Sequence, residues 1–160
     1  VGVAETVSDD VIGEYGEIVK GSDLVLVVDD SVVARKQVES TLEQMHLHTV
    51  VTKNGQEAID TWRRWKEKLP EQLERLAMVV SDIEMPTMDG YTLTSLIRQD
   101  PALKNLYVIL HSSLSGVFNE NMVKQVGADR FIPKFHPDDL ARVVGEALAH
   151  HEVHHTVDEA

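Results

Sequence analysis

Four places in the sequence set a reactive side chain at the end of an apolar run. Leu24-Val25-Leu26-Val27-Val28 stops at Asp29-Asp30, and Val79-Val80-Ser81 stops at Asp82. Leu106-Tyr107-Val108-Ile109-Leu110 stops at His111-Ser112-Ser113, and Phe131-Ile132-Pro133 stops at Lys134. Short apolar runs bounded by turn residues read as buried strands, and in open α/β sheets the carboxyl ends of such strands face the ligand crevice. If helices separate these strands, three carboxylates, a hydroxyl and an ammonium converge on one edge of a parallel sheet. Carboxylates crowded in this way repel one another, so a cation joins them or one keeps its proton. Magnesium suits the set, because it takes a few carboxylates, retains several waters and recruits phosphate oxygens.

The segments between the strands have the required helical character. After Asp30, Ala34, Val38, Leu42 and Met45 form one apolar stripe on a helix capped by Ser31. Leu47 to Val51 reads as a second strand. Asn54 with Glu57 has the shape of a capping box, and Ala58, Trp62, Trp65 and Leu69 carry the helix that Pro70 should end. Glu71 to Leu76 adds a helical turn or two and makes this crossover long. Asp89-Gly90 turns the chain into a helix bearing Tyr91, Leu93, Leu96 and Ile97. The stripe Phe118, Met122 and Val126 runs to a stop at Gly127. Pro137, Asp138 and Asp139 open a last helix lined by Leu140, Val143, Val144, Ala147 and Leu148.

With the reactive residues at this spacing, the chain resembles a receiver domain of two-component signalling, the phosphorylatable module of response regulators. The steps from Asp82 to Ser112 and from Ser112 to Lys134 match the family's phosphoacceptor, hydroxyl and lysine. The match covers roughly Asp23 to Ala149. The strings Ser81-Asp82-Ile83-Glu84-Met85-Pro86, His111-Ser112-Ser113-Leu114-Ser115-Gly116 and Lys134-Phe135 most resemble the receivers of CheV-type chemotaxis coupling proteins. The resemblance implies a flavodoxin-like α/β fold, a doubly wound five-stranded parallel sheet with helices on both faces.

It also implies the role of each residue. Asp82 would be the nucleophile that accepts a phosphoryl group from a histidine kinase, in this family of the CheA type. Asp30, Asp82 and the backbone carbonyl of Glu84 would ligate Mg2+, and Asp29 would hold a water of the ion. Lys134 would supply an opposing charge to the phosphoryl oxygens, and Ser112 a hydroxyl donor. Phosphorylation adds roughly −1.5 to −2 charges at one strand end. Two charge-assisted hydrogen bonds of roughly 1.5–3 kcal/mol each approach the roughly 5.5 kcal/mol that takes a two-state equilibrium from 1:99 to 99:1. Phe131 matches the aromatic switch position. Phe135 is a departure, because most receivers carry proline after the lysine.

Composition bounds the other classes. The 160 residues, 42% hydrophobic, suffice for one core, and a formal charge of −12 opposes nucleic-acid binding. There is no cysteine to form a disulfide or act as a thiolate. No apolar run reaches membrane-spanning length and no secretory signal is visible, which agrees with a cytoplasmic site of action. Residues 1–21, acidic and punctuated by glycine, read as a linker, 22–149 as the receiver and 150–160 as a polar His-rich tail. A start at Val1 rather than methionine points to a fragment or a processed chain, and the resemblance would put a CheW-like coupling domain, in contact with chemoreceptors, upstream. His151-Glu152-Val153-His154-His155 satisfies the H-E-x-x-H pattern of zinc peptidases, yet only Thr156 to Ala160 follow and the tail offers no walled cleft. A phosphatase with an aspartate nucleophile usually wants alternating acids after its first strand, where this chain has adjacent ones. A receiver-like module that never turns phosphate over is the remaining rival.

Overall fold

Residues 23–112, 120–133 and 136–159 are described by a computed structural model, with the backbone alone for 150–159. The elements run β1 (Leu24–Val28), α1 (Val32–Gln44), β2 (His48–Thr52), α2 (Gly55–Lys68), α3 (Pro70–Arg75), β3 (Leu76–Asp82), α4 (Gly90–Gln99), β4 (Tyr107–Ser112), α5 (Glu120–Val126), β5 (Arg130–Pro133) and α6 (Pro137–Glu159). All strand pairs are parallel, in the order β2-β1-β3-β4-β5. This is the doubly wound, flavodoxin-like arrangement expected from the sequence.

A parallel sheet covered on both faces needs strands that are apolar on both faces, and β1 and β3 are buried at every position. Successive side chains alternate. Val25, Val27, Val80 and Ile109 pack against Val38 and Leu42 of α1, its C-cap Met45, and Leu140, Val144 and Leu148 of α6. Leu26, Val28, Val79, Val108 and Leu110 pack on the opposite face against Trp62 and Trp65 of α2, Leu93 and Ile97 of α4 and Val123 of α5. Three side chains start helices as their residue types lead one to expect. Ser31 Oγ accepts the Ala34 amide at 3.3 Å, Asn54 Oδ1 the Glu57 amide at 2.8 Å and Asp89 Oδ1 the Thr92 amide at 2.7 Å.

The structure differs from the sequence reading in several places. Leu69 is not on the buried stripe of α2; it is 40% exposed at the break before Pro70. In α5 the buried residue is Val123 rather than Met122 or Val126, and Phe118 lies outside the described residues. β4 continues through His111 and Ser112, which remain paired with β3 and β5. α6 continues to Glu159, through the segment read as a tail. Lys134, Phe135 and the linker at 1–21 lie outside the described residues. No helix among the described residues is long and apolar enough to cross a membrane.

The long crossover is tied back to the start of β1. Arg75, at the end of α3, donates from Nε and Nη2 to the two carboxylate oxygens of Asp23 at 3.0 and 3.2 Å. These hydrogen bonds hold the Asp23 carboxyl below the ordinary aspartate value of 3.8. A depressed carboxylate stabilises the fold fully above its unfolded value, and the contribution disappears as pH falls through the folded one. Stability should therefore drop below about pH 4 more steeply in the wild type than in Asp23→Asn, as read by urea unfolding at a series of pH values. Gly90 gives a second test. A Cβ there would stand 2.3 Å from the Asp82 carbonyl oxygen and 3.0 Å from the Ile83 Cα, both backbone atoms. Gly90→Ala should cost about 1–3 kcal/mol in urea unfolding. Gly55→Ala, whose Cβ would meet only the flexible Met88 side chain, should cost less.

Candidate functional site

The neighbouring strands β1 and β3 end side by side, with Val28 in register with Ser81. Asp29 and Asp82 follow those partners, so their side chains leave the sheet at the same level. Asp30 is one residue further and exposed. Carboxylate oxygens of Asp29, Asp30 and Asp82 lie within 4.8 Å of one another. Asp29 is fully buried and Asp82 is 2% exposed. The backbone holds each buried acid in place: Asp29 Oδ1 accepts the Ser31 amide at 2.8 Å, and Asp82 Oδ1 accepts the Glu84 amide at 3.3 Å. Arg35 of α1 donates through Nη1 to the Asp29 carbonyl at 2.7 Å, which ties the first turn of the helix to the strand end.

The β3–α4 loop is bent tightly around the acid. The Gly90 amide reaches back to the Ile83 carbonyl at 2.9 Å, and the Met88 amide to the Pro86 carbonyl at 2.8 Å. Within this loop Thr87 has φ +73°, a conformation that β-branched residues rarely adopt. Such strain persists only where the surroundings over-determine it, and it concentrates beside sites that bind or react.

On the next strand Ser112 is buried at the end of β4, and its hydroxyl donates to Oε1 of Glu84. The sequence reading gave Glu84 a role through its backbone carbonyl alone. The side chain instead turns over the strand ends to meet Ser112. Nothing in the local pattern discloses a contact between residues 28 apart in sequence. Arg35 was missed for the same reason, as a polar helix residue outside the apolar stripe. His111, directly across from Asp82 in the β3–β4 register, is 2% exposed, and its Nε2 lies 3.4 Å from Asp29 Oδ2. Phe131 is partly buried against the α2, α4 and α5 face, opposite Leu110 in the register. Lys134 begins beyond the last described residue of β5.

An all-parallel sheet ending in three clustered aspartates, with a strand-end serine beside them, is the arrangement of a phosphotransfer module, and comparison with known proteins agrees. The family model of the response regulator receiver domain matches residues 25–144, and the chain belongs to that family. It is similar to the chemotaxis protein CheV2 of Helicobacter pylori, with 29% identity across 88% of this chain and 44% of the relative. The chain is thus a CheV-like receiver, and it spans less than half the length of the CheV relatives it matches. Its fold is that of the chemotaxis response regulator CheY4 of Vibrio cholerae, with a TM-score of 0.66 at 24% identity, covering 78% of this chain and 97% of the other. The response regulator TrrA of Thermotoga maritima, solved in complex with Mg(2+)-BeF, has a TM-score of 0.65 at 25% identity, covering 78% of this chain and 98% of that one. The protein is therefore a signalling module, and the peptidase reading of residues 151–155 has no support from its family.

The donor set fits magnesium. Three hard oxygen donors of like charge gathered at one point are what a small divalent cation compensates, and receiver domains bind Mg2+ at such an acidic pocket. The Ser112 bond gives the test of this arrangement. Glu84→Ala takes the acceptor away from the buried Ser112 hydroxyl, so a loss of about 1–3 kcal/mol is expected in urea unfolding. The largest amide shifts should fall at Ser112 and the loop from Ile83 to Asp89.

Proposed function

We propose that this chain accepts a phosphoryl group on Asp82 from a histidine kinase and passes the resulting charge change to attached or bound partners. The observation that carries the reading is the gathering of Asp29, Asp30 and Asp82 within 4.8 Å at adjacent strand ends, in a chain of the receiver family. An oxygen of the ionised Asp82 carboxylate attacks phosphorus, the bond from phosphorus to the donor breaks, and the donor leaves with that electron pair and takes up a proton. The product is an acyl phosphate. Buried at 2% exposure, Asp82 presents its carboxylate where little water competes.

Asp30, Asp82 and the Glu84 carbonyl are the residues that would hold magnesium, with Asp29 behind them. Bound there, the ion supplies charge neutralisation to the phosphoryl oxygens. Lys134, as a mobile point charge, and Ser112, as a hydroxyl donor, complete the contacts to those oxygens. Ser112 must leave Glu84 to do so, which moves the end of β4 and the segment after it. Phe131 follows as the reporting aromatic.

Similarity to CheV proteins, together with an acidic surface, supports a role in cytoplasmic chemotaxis coupling or as a phosphate sink. A CheA-type kinase would be the phosphodonor, and a CheW-like domain and chemoreceptors the coupled partners.

Incubation with acetyl phosphate and magnesium should add one phosphoryl group by intact mass, labile in base. The adduct should be absent in Asp82→Asn and lost on chelation of the metal. An adduct that survives the Asp82→Asn substitution overturns the assignment.

A further inference from the structure

We propose that His111 is a positioning residue for Asp29, its Nε2 standing beside the carboxylate and setting the rotation at which Asp29 serves the cation site. The inference rests on the reading of the three aspartates as that site. Val108, Ile109 and Leu110, which precede His111 in β4, are aliphatic, and a buried imidazole in such a strand is costly unless a polar group faces it. The group it faces is Asp29 Oδ2, at 3.4 Å, with the two side chains 3% and 0% exposed.

The other oxygen of the same carboxylate is already set by the Ser31 amide at 2.8 Å. An aspartate carboxyl otherwise rotates in a broad, two-fold well, so a donor on one oxygen and a polar ring beside the other narrow the range of that rotation. His111 is not itself in the ligand set: the donors that lie within 4.8 Å of one another belong to the three aspartates. The imidazole thus stands behind a ligand, as outer-sphere partners of metal-binding carboxylates do. His111 also lines the cavity between α1 and α6, together with Ala34, Gln37, Val38 and Ile132.

The test has two readouts, neither of which is phosphorylation. Long-range proton–nitrogen NMR of the metal-free wild type should show the His111 ring protonated at Nε2, and a bare Nε2 overturns the proposal. Magnesium titration followed by amide shifts compares the wild type with His111→Leu and His111→Gln, whose amide can place a donor near the position of Nε2. His111→Leu should weaken magnesium by about tenfold or more, and His111→Gln by no more than about threefold. Equal weakening in both variants, or none in either, overturns it. If His111→Leu fails to fold, the wild-type spectrum and the glutamine variant still decide, since a tenfold loss in the latter also counts against the proposal. Failure of the receiver reading would look different: wild type that binds magnesium yet takes no phosphoryl group from acetyl phosphate sinks that reading and leaves the pairing of His111 with Asp29 intact.

Discussion

The structure depends on holding like charges together. Parallel pairing of β1 with β3 puts Asp29 and Asp82 at one level, with carboxylate oxygens within 4.8 Å. At that separation, with an effective dielectric constant of about 20, two ionised groups repel by about 3 kcal/mol or more. That is a sizeable share of the 5–15 kcal/mol by which domains are usually stable. The cost is imposed by apolar burial elsewhere, because β1 and β3 are covered on both faces and cannot slide apart without exposing both core clusters. The site is therefore pre-stressed, and a divalent cation relieves the stress in proportion to how well the carboxylates are already placed. This is why backbone amides at Ser31 and Glu84 matter as much as the acids themselves.

A second constraint falls on the hydroxyl. Ser112 has one proton to donate, and here it goes to Glu84. A phosphoryl oxygen and Glu84 cannot both receive it, so phosphorylation at Asp82 would exchange one anionic acceptor for another. The difference between two such bonds is smaller than either bond alone. With Asp82 as the proposed phosphoacceptor, a module built this way would be switched by a modest net free energy, and Glu84 would help set the resting balance.

Much of this was legible in the sequence because strands covered on both faces read as apolar runs, and because the reactive polar residues cluster at the ends of those runs. The caps at Ser31 and Asn54 were legible for a similar local reason: a side chain and an amide three residues on decide them. The misreadings came from tertiary packing. Leu69 has the spacing of the α2 stripe, but the chain breaks at Pro70 before the stripe can continue, and the residue is left in solvent. α5 is short and packs chiefly through Val123, so a three-residue stripe could not show which side would be buried. His111 and Ser112 looked like turn residues after β4 because they are polar, whereas pairing to β3 and β5 keeps them in the strand. The contacts from Glu84 to Ser112 and from Arg35 to the Asp29 carbonyl join separate elements, and no periodicity reports them.

Strand alternation also divides the labour at the site. Asp29, Asp82 and His111 continue the parity of Val27, Val80 and Ile109, the residues that pack against α1 and α6. Ser112 and Phe131 continue or pair with the parity of Leu110, on the face covered by α2, α4 and α5. The cation-holding groups are thus braced from one side of the sheet, while the hydroxyl and the aromatic ring that would respond to phosphate are seated on the other. A rigid brace and a movable reporter on the same face would share packing neighbours, and motion of one would loosen the other. With the two parted by the sheet, Ser112 can shift toward Asp82 and disturb α4, α5 and Phe131 while the ligands keep their positions. On the proposed function, the surface on which a partner would sense phosphorylation lies on the α4 and α5 side, away from the helices that steady the acids.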